Sequence, residues 1–239
     1  MGRAAMDAHD PAAAIAHFEH DGSKEARAWL AVALMMESRS ASDRYVERAF
    51  DAAMQARTGQ TGGLRSRAEL AAALGPGEMV VTFLVTESHA YAWAFDHSTL
   101  IGYPLPPPSA IITAVERVDA YAAQNDRAGM QRVAEDLMPA LLGPVVDRIP
   151  SLTRLIFVMD GPLRRLPIGE LQVGDGASTL SEQLAVSTVE DHALFGEIER
   201  APAKSPASRS SRRLAVGAII TAIALLAGVA ALRRRSSVA

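Results

Sequence analysis

The sequence predicts an α/β protein in which a helical N-terminal segment packs on a sheet module and a single transmembrane helix follows at the C-terminal end. Three observations predict it. Residues 1–74 carry apolar positions at helical spacing between capping and breaking signals. From Gly75 on, three short apolar runs with two-residue turns between them precede two helical patterns and the continuous apolar run Leu155–Met159, LIFVM. Leu214 to Leu232 is then a 19-residue stretch with no charge and no proline.

The elements follow in order. Asp10-Pro11 pairs a capping residue with a proline suited to a first turn, opening a helix through about His20. Asp21-Gly22-Ser23 breaks it, and Ser23 caps a second helix from Lys24 to about Ser38 with Trp29, Val32, Ala33 and Met36 on one face. A third, about Ala41 to Ala56, presents Val46, Ala49, Phe50 and Ala53. Thr58 to Gly63 reads as a loop and Leu64 to Leu74 as a further helix. The paired helices faintly resemble a tetratricopeptide hairpin without a clear repeat. They are expected to cover one side of the module that follows.

Gly75-Pro76-Gly77 is a turn signal. Met79–Thr86, His89–Asp96 and Thr99–Leu105 then read as an antiparallel meander, with Pro104 confining the third strand to an edge. Helices are expected at Ser109–Gln124 and Arg127–Leu142. Leu155–Met159 reads as a strand buried on both faces, and Leu184–Val189 as a last strand.

The 239-residue chain has 24 Lys+Arg, 27 Asp+Glu and no Cys, for a formal net charge of −3. That charge averages two unlike parts. Seven of the basic residues and none of the acids lie from Lys204 onward, so residues 1–203 carry 17 basic and 27 acidic residues, a net of −10, against +7 in the tail. An acidic body lacks the basic surface that nucleic-acid binding requires. Zero cysteine excludes disulfides, thiolate metal sites and a cysteine nucleophile in this chain.

As a helix rising 1.5 Å per residue, Leu214–Leu232 spans roughly 28 Å, close to the hydrocarbon thickness of a bilayer. Nine of its residues are Leu, Ile or Val, contributing about −3 to −5 kcal/mol on an insertion scale. Arg212 and Arg213 on one side and Arg233, Arg234 and Arg235 on the other can reach the lipid phosphates. The expectation is a single-pass anchor in the lipid bilayer, residues 214–232, with a linker at 200–213 and a basic tail at 233–239. No basic start with an apolar run opens the chain, so the body is expected to stay cytoplasmic. Gly217, Thr221, Ala224, Gly228 and Ala231 recur at spacings of 4, 3, 4 and 3. Small residues on one face allow two helices to approach, so a homodimer through this seam is a further expectation.

Residues from about Leu74 to Val189 resemble the front half of the CHAT domain, a caspase-like module often found behind tetratricopeptide repeats. The resemblance is carried by LGPGEMVVTFLV, AYAWAF, LIFVMDGPLRRLPIGEL and TLSEQLAVSTV. Asp160, Gly161, Pro162, Leu163, Leu166, Pro167 and Leu171 match the family's Asp-Gly-Pro-Leu, Leu-Pro and closing Leu, while Arg164 stands where the family often has His. Leu180 and Glu182 match the Leu-x-Glu step before its next strand. The resemblance implies a truncated caspase-like (CHAT) α/β sheet over residues 75–199. It also implies that the catalytic His and Cys belong on strands after Val189. Here Glu190 to Arg200 is followed directly by the linker, with no Ser-Ala-Cys segment.

Other chemistry is weighed residue by residue. Asp160 ends a buried strand, where open α/β sheets bind ligands, or else caps the Gly161-Pro162 turn through backbone N–H groups. His17 and His20 stand three apart on a helix, as metal ligands can, with only His9 or Asp21 nearby. Ser88-His89 and His97 fall at hairpin turns, His192 after the last strand, and Gly174-Asp175-Gly176 in a turn. Neither lysine follows a glycine-rich loop, and no G-x-S-x-G elbow exists. No cofactor and no metal is expected. Three readings remain: a membrane-held, catalytically inactive module that binds a protein partner such as a related protease or effector; half of a split caspase-like peptidase whose other half comes from a second chain; and a hydrolase using Asp160 and a histidine.

Overall fold

In the computed structural model of the chain, the described residues are 2–38, 44–58, 66–173 and 178–189, together with Leu194 and Ile198. Those from Gly2 to Ile198 belong to one compact unit, a layered α/β arrangement.

The N-terminal layer contains five described helices. The sequence reading did not foresee α1 (Gly2–Asp7), whose six residues hold one large buried side chain, Met6. Gly2 lets it approach α2 (Pro11–Phe18) closely: a Cβ there would lie 2.6 Å from the Phe18 ring. Asp10 caps α2 by accepting the Ala13 N–H at 3.0 Å, and Ser23 caps α3 (Lys24–Ser38) by accepting the Ala26 N–H at 3.2 Å. The expected face of α3 is corrected. Leu30 through Met35 are all buried, whereas Trp29 and Met36 are only half-buried. The physical reason is contact with α2, α4 (Arg44–Thr58) and the sheet at once, so the helix has no one buried stripe. On α4, Ala49, Phe50 and Ala53 are buried and Val46 half-buried. A reciprocal Ser66–Glu69 capping box starts α5 (Arg67–Ala73).

The sheet has five strands, β1 (Glu78–Val85), β2 (Ala90–Phe95), β3 (Leu100–Pro104), β4 (Arg154–Val158) and β5 (Ala185–Val189), in the order β3-β2-β1-β4-β5. The meander β1–β2–β3 is antiparallel, and β4 pairs in parallel with both β1 and β5. Between β3 and β4 run α6 (Pro108–Ala123), α7 (Arg127–Leu142) and a 3-10 segment, Gly143–Ser151. A short α8 (Leu180–Gln183) precedes β5, started by a Thr179–Glu182 capping box.

Each sheet face has its own apolar core. Met79, Val81 and Phe83 of β1 face α6 and α7, joined there by Ile111, Val115, Leu137, Met138, Leu155 and Phe157. Val80 and Leu84, with Trp93, Phe95, Ile156 and Val158, face the N-terminal helices through Leu34, Phe50 and Ala53. Central strands buried on both faces explain why EMVVTFLV and LIFVM are continuous rather than alternating. Burying each such side chain contributes roughly 1.5–3 kcal/mol. Leu194 and Ile198, which follow β5 in sequence, are buried in the core on the N-terminal side.

Among the described residues no helix is long and apolar enough to cross a membrane. Leu214–Leu232 lies outside the described residues, as do the flanking Arg212, Arg213, Arg233, Arg234 and Arg235 and the seam Gly217, Thr221, Ala224, Gly228 and Ala231.

Candidate functional site at the carboxyl ends of the parallel strands

In an open α/β sheet, loops leaving the carboxyl ends of parallel strands form the natural binding crevice. Here those ends belong to β1, β4 and β5. The Asp-Gly-Pro-Leu motif leaves β4 at this edge. Gly161 adopts φ +50°, a conformation that favours glycine, and starts a 3-10 turn through Arg165. Leu163, Leu166 and Leu171 are buried in the core under α6 and α7, with Pro162 and Pro167 half-buried between them. The motif is therefore a fold element: three leucines anchor a loop that the two prolines shape.

Asp160 corrects one expectation. Its side chain does not cap the Gly161-Pro162 turn; Oδ2 accepts the Val85 N–H at 2.9 Å, across 75 residues of sequence. The parallel β1–β4 pairing brings the strand ends side by side, and the end of β1 offers a free N–H within reach. Arg57 of α4 ties the same two strands. Its Nη1 donates to Thr82 Oγ1 at 2.5 Å and to the Phe83 carbonyl at 2.7 Å, while Nη2 donates to the Met159 carbonyl at 3.1 Å. Sequence reasoning missed Arg57. The available signal was a cation continuing the apolar stripe of Phe50 and Ala53, where a charge needs buried acceptors.

With the β1–β4 junction closed by these bonds, open space remains at β4 and β5. A cavity of about 190 Å³ is lined by Met159, Arg164, Thr188 and Val189. Arg164 is exposed and makes no hydrogen bond or ion pair with the described residues. Its neighbour Arg165 pairs with Asp119 of α6 at 3.2 Å. The cavity thus brings together two apolar side chains, one hydroxyl and one cation without a partner among the described residues, a chemistry suited to a carboxylate.

The remaining sequence-singled residues are not brought into this crevice. His20 Nδ1 lies 2.9 Å from the Ala16 carbonyl, and His17 stands edge-on to Phe18. Among the described residues no group of three or more His, Asp or Glu could hold a metal ion. Ser88 Oγ and His89 Nδ1 are 2.9 Å apart in the β1–β2 turn. That turn is closed by Thr86, whose hydroxyl donates to the His89 carbonyl and accepts the His89 N–H. His97 is exposed in the β2–β3 turn, while Gly174-Asp175-Gly176 and His192 lie outside the described residues.

Two ionic contacts brace the sheet away from the crevice. Glu78 and Arg154, register partners at the amino ends of β1 and β4, form a buried ion pair at 3.5 Å. Glu78 Oε2 also accepts the Gly75 N–H at 2.8 Å. At the β2–β3 turn, Asp96 accepts the Ser98 and Thr99 N–H groups, both at 2.8 Å, and pairs with Arg148. Burial pushes the Asp96 carboxyl up, but these donors outweigh it and hold the group well below the usual carboxylate range. No family profile and no curated protein matches this chain.

Proposed function

We propose that this chain is a membrane-anchored, catalytically inactive CHAT-like protein that acts as an interaction or regulatory module. The observation that carries the reading is the state of the motif residues. Asp160 is spent on the Val85 N–H, the leucines are core, and the position often held by His in the family is Arg164, facing a cavity rather than a nucleophile. The sequence adds the 19-residue apolar stretch for the anchor and the absence of cysteine. The module is held at the inner membrane face by Leu214–Leu232, with its body in the cytoplasm and a homodimer through the small-residue seam. It recruits a protein partner, a protease or effector of the same system.

Fractionation followed by affinity capture tests this. The full-length chain should resist alkaline extraction from membranes, and detergent-solubilised chain should retain one specific partner. A freely soluble chain would refute the anchor, and capture of nothing specific from solubilised membranes would refute the module.

One observation favours a second reading, half of a split caspase-like peptidase. The β5 strand ends the sheet with no further strand among the described residues, leaving room for strands from another chain. Peptidase activity that appears only on co-expression with a His/Cys-bearing partner, and is absent from either chain alone, would decide for it.

A further inference from the structure

The two ends of the sheet differ in how they are finished. The outer strand β3 carries Pro104, which has no N–H to offer at the edge, and helix side chains pack on its face: a Cβ on Gly102 would lie 2.9 Å from both Met35 and Val46. The β5 strand, Ala185–Val189, has no proline and no charge, and none of its residues is fully buried. Charges, prolines and bulges are the usual devices that keep an edge strand from pairing, and AVSTV contains none of them.

The direction of the outer groups follows from the ladder. Ala185 donates its N–H to the Thr153 carbonyl at 3.1 Å, toward β4. Backbone groups alternate sides along a strand, so Val186 and Thr188 direct their N–H and C=O groups to the outer side. Thr188 also lines the cavity at the carboxyl end of β5, where Arg164 stands without a partner among the described residues. Backbone donors and acceptors along an edge, ending at a cation in an open pocket, are the two halves of a strand-recognition site.

We propose that the outer edge of β5 receives an extended segment of a protein partner, which pairs with Val186 and Thr188 and places an acidic side chain against Arg164. This rests on the interaction-module reading and names the place where the partner binds. The chemistry of the partner follows: about five residues matched to β5, uncharged and β-branched so as to pair with Val186 and Thr188, then Asp or Glu just beyond the paired stretch, at the carboxyl end of β5. The charge requirement is specific because the body is acidic, at −10 over residues 1–203. An acidic segment is repelled by most of the surface, and Arg164 at the end of the β5 edge supplies the cation that offsets this repulsion there.

The test uses the full-length chain in detergent and two fluorescein-labelled peptides, acetyl-TVTVTD-amide and acetyl-DTVTVT-amide, which place the acid at the β5 carboxyl end in the parallel and antiparallel orientations. Fluorescence anisotropy should show one of them binding. Changing its Asp to Asn, or Arg164→Ala in the protein, should each weaken binding by at least about tenfold, with little further loss when combined. Arg164→Glu should restore binding to the same peptide carrying Lys in place of Asp. N-methylation of the alternate residues that face β5 should abolish binding while leaving every side chain in place.

Binding of neither peptide, equal binding of the N-methylated peptide, or indifference to Arg164→Ala would each overturn the proposal. Peptide binding that falls as protein concentration rises would assign the edge to a second copy of this chain and overturn it likewise. A partner captured from membranes that the bound peptide fails to displace would leave the module reading standing and this site refuted.

Discussion

The two halves of the sheet are built by opposite strategies. In β1–β3, neighbours in sequence are neighbours in space, and turns of a few residues set the register. Asp96 organises the β2–β3 turn, Arg148 clamps it, and the Tyr103 hydroxyl donates to the Leu141 carbonyl at 3.0 Å. In β4 and β5 every pairing is long-range, and side chains add ties between β4 and β1: Arg154 to Glu78 at the amino ends, Asp160 and Arg57 at the carboxyl ends. The difference teaches that the meander half is held by local turns and ends in a strand that carries a proline, whereas the parallel half depends on a few ties across its strands and ends, among the described residues, in β5.

The largest expected effects fall where the halves meet. Phe157→Ala removes a fully buried ring stacked on Phe83, with centroids 6.3 Å apart, and should cost about 3–5 kcal/mol by urea denaturation. Because β4 joins β1 to β5, both halves should unfold together; separate transitions by near-UV and far-UV circular dichroism would show them to be independent.

Arg154→Met leaves the Glu78 carboxylate buried without its cation and should cost roughly 3–5 kcal/mol, while Arg154→Met with Glu78→Leu should recover much of that loss. A double variant as unstable as the single would mean that packing, not charge, ties the amino ends.

Asp96 gives the meander half a pH signature. Its carboxyl titrates lower in the folded protein than the ordinary value of 3.8, so the unfolded chain takes up the proton first. The stabilisation is complete above that ordinary value and disappears as pH falls through the lower folded one. Asp96→Asn should therefore lower stability at neutral pH by about 1–3 kcal/mol and flatten the acid limb of a stability–pH curve. An unchanged acid limb would exclude Asp96 as its source.

Gly161→Ala forces a Cβ into φ +50° and should cost about 1 kcal/mol. Arg164→Ala should change stability by less than about 0.5 kcal/mol, in contrast to its effect on peptide binding. A larger loss of stability would show that Arg164 braces the motif instead of facing a ligand.

Much of the fold was legible because its signals are local. Asp10 and Ser23 stand at helix starts, two-residue turns separate the meander strands, and Pro104 marks an edge. The candidate site was only half legible. The stretch from Asp160 to Leu171 stood out as a motif, but its Asp was read against its own turn because the Val85 N–H lies 75 residues away. Arg57 was missed for the same reason: its acceptors, the Thr82 hydroxyl and the Phe83 and Met159 carbonyls, lie at least 25 residues away, so the stripe it continues on α4 names no partner. The α3 face was misjudged because a helix touched on three sides has no single stripe to read.

By itself the sequence determined the α/β class, the order of the longer helices and the strands, the division into an acidic body and a basic tail, and the absence of a cysteine nucleophile. These follow from composition, periodicity and capping, which act over a few residues. Tertiary structure alone decided that β4 lies between β1 and β5, that Asp160 and Arg57 close one junction, and that Arg164 is left beside an open cavity at the next. Parallel pairing joins strands whose sequence separation far exceeds any local signal, so which strand ends meet is settled by how the two cores pack on the sheet.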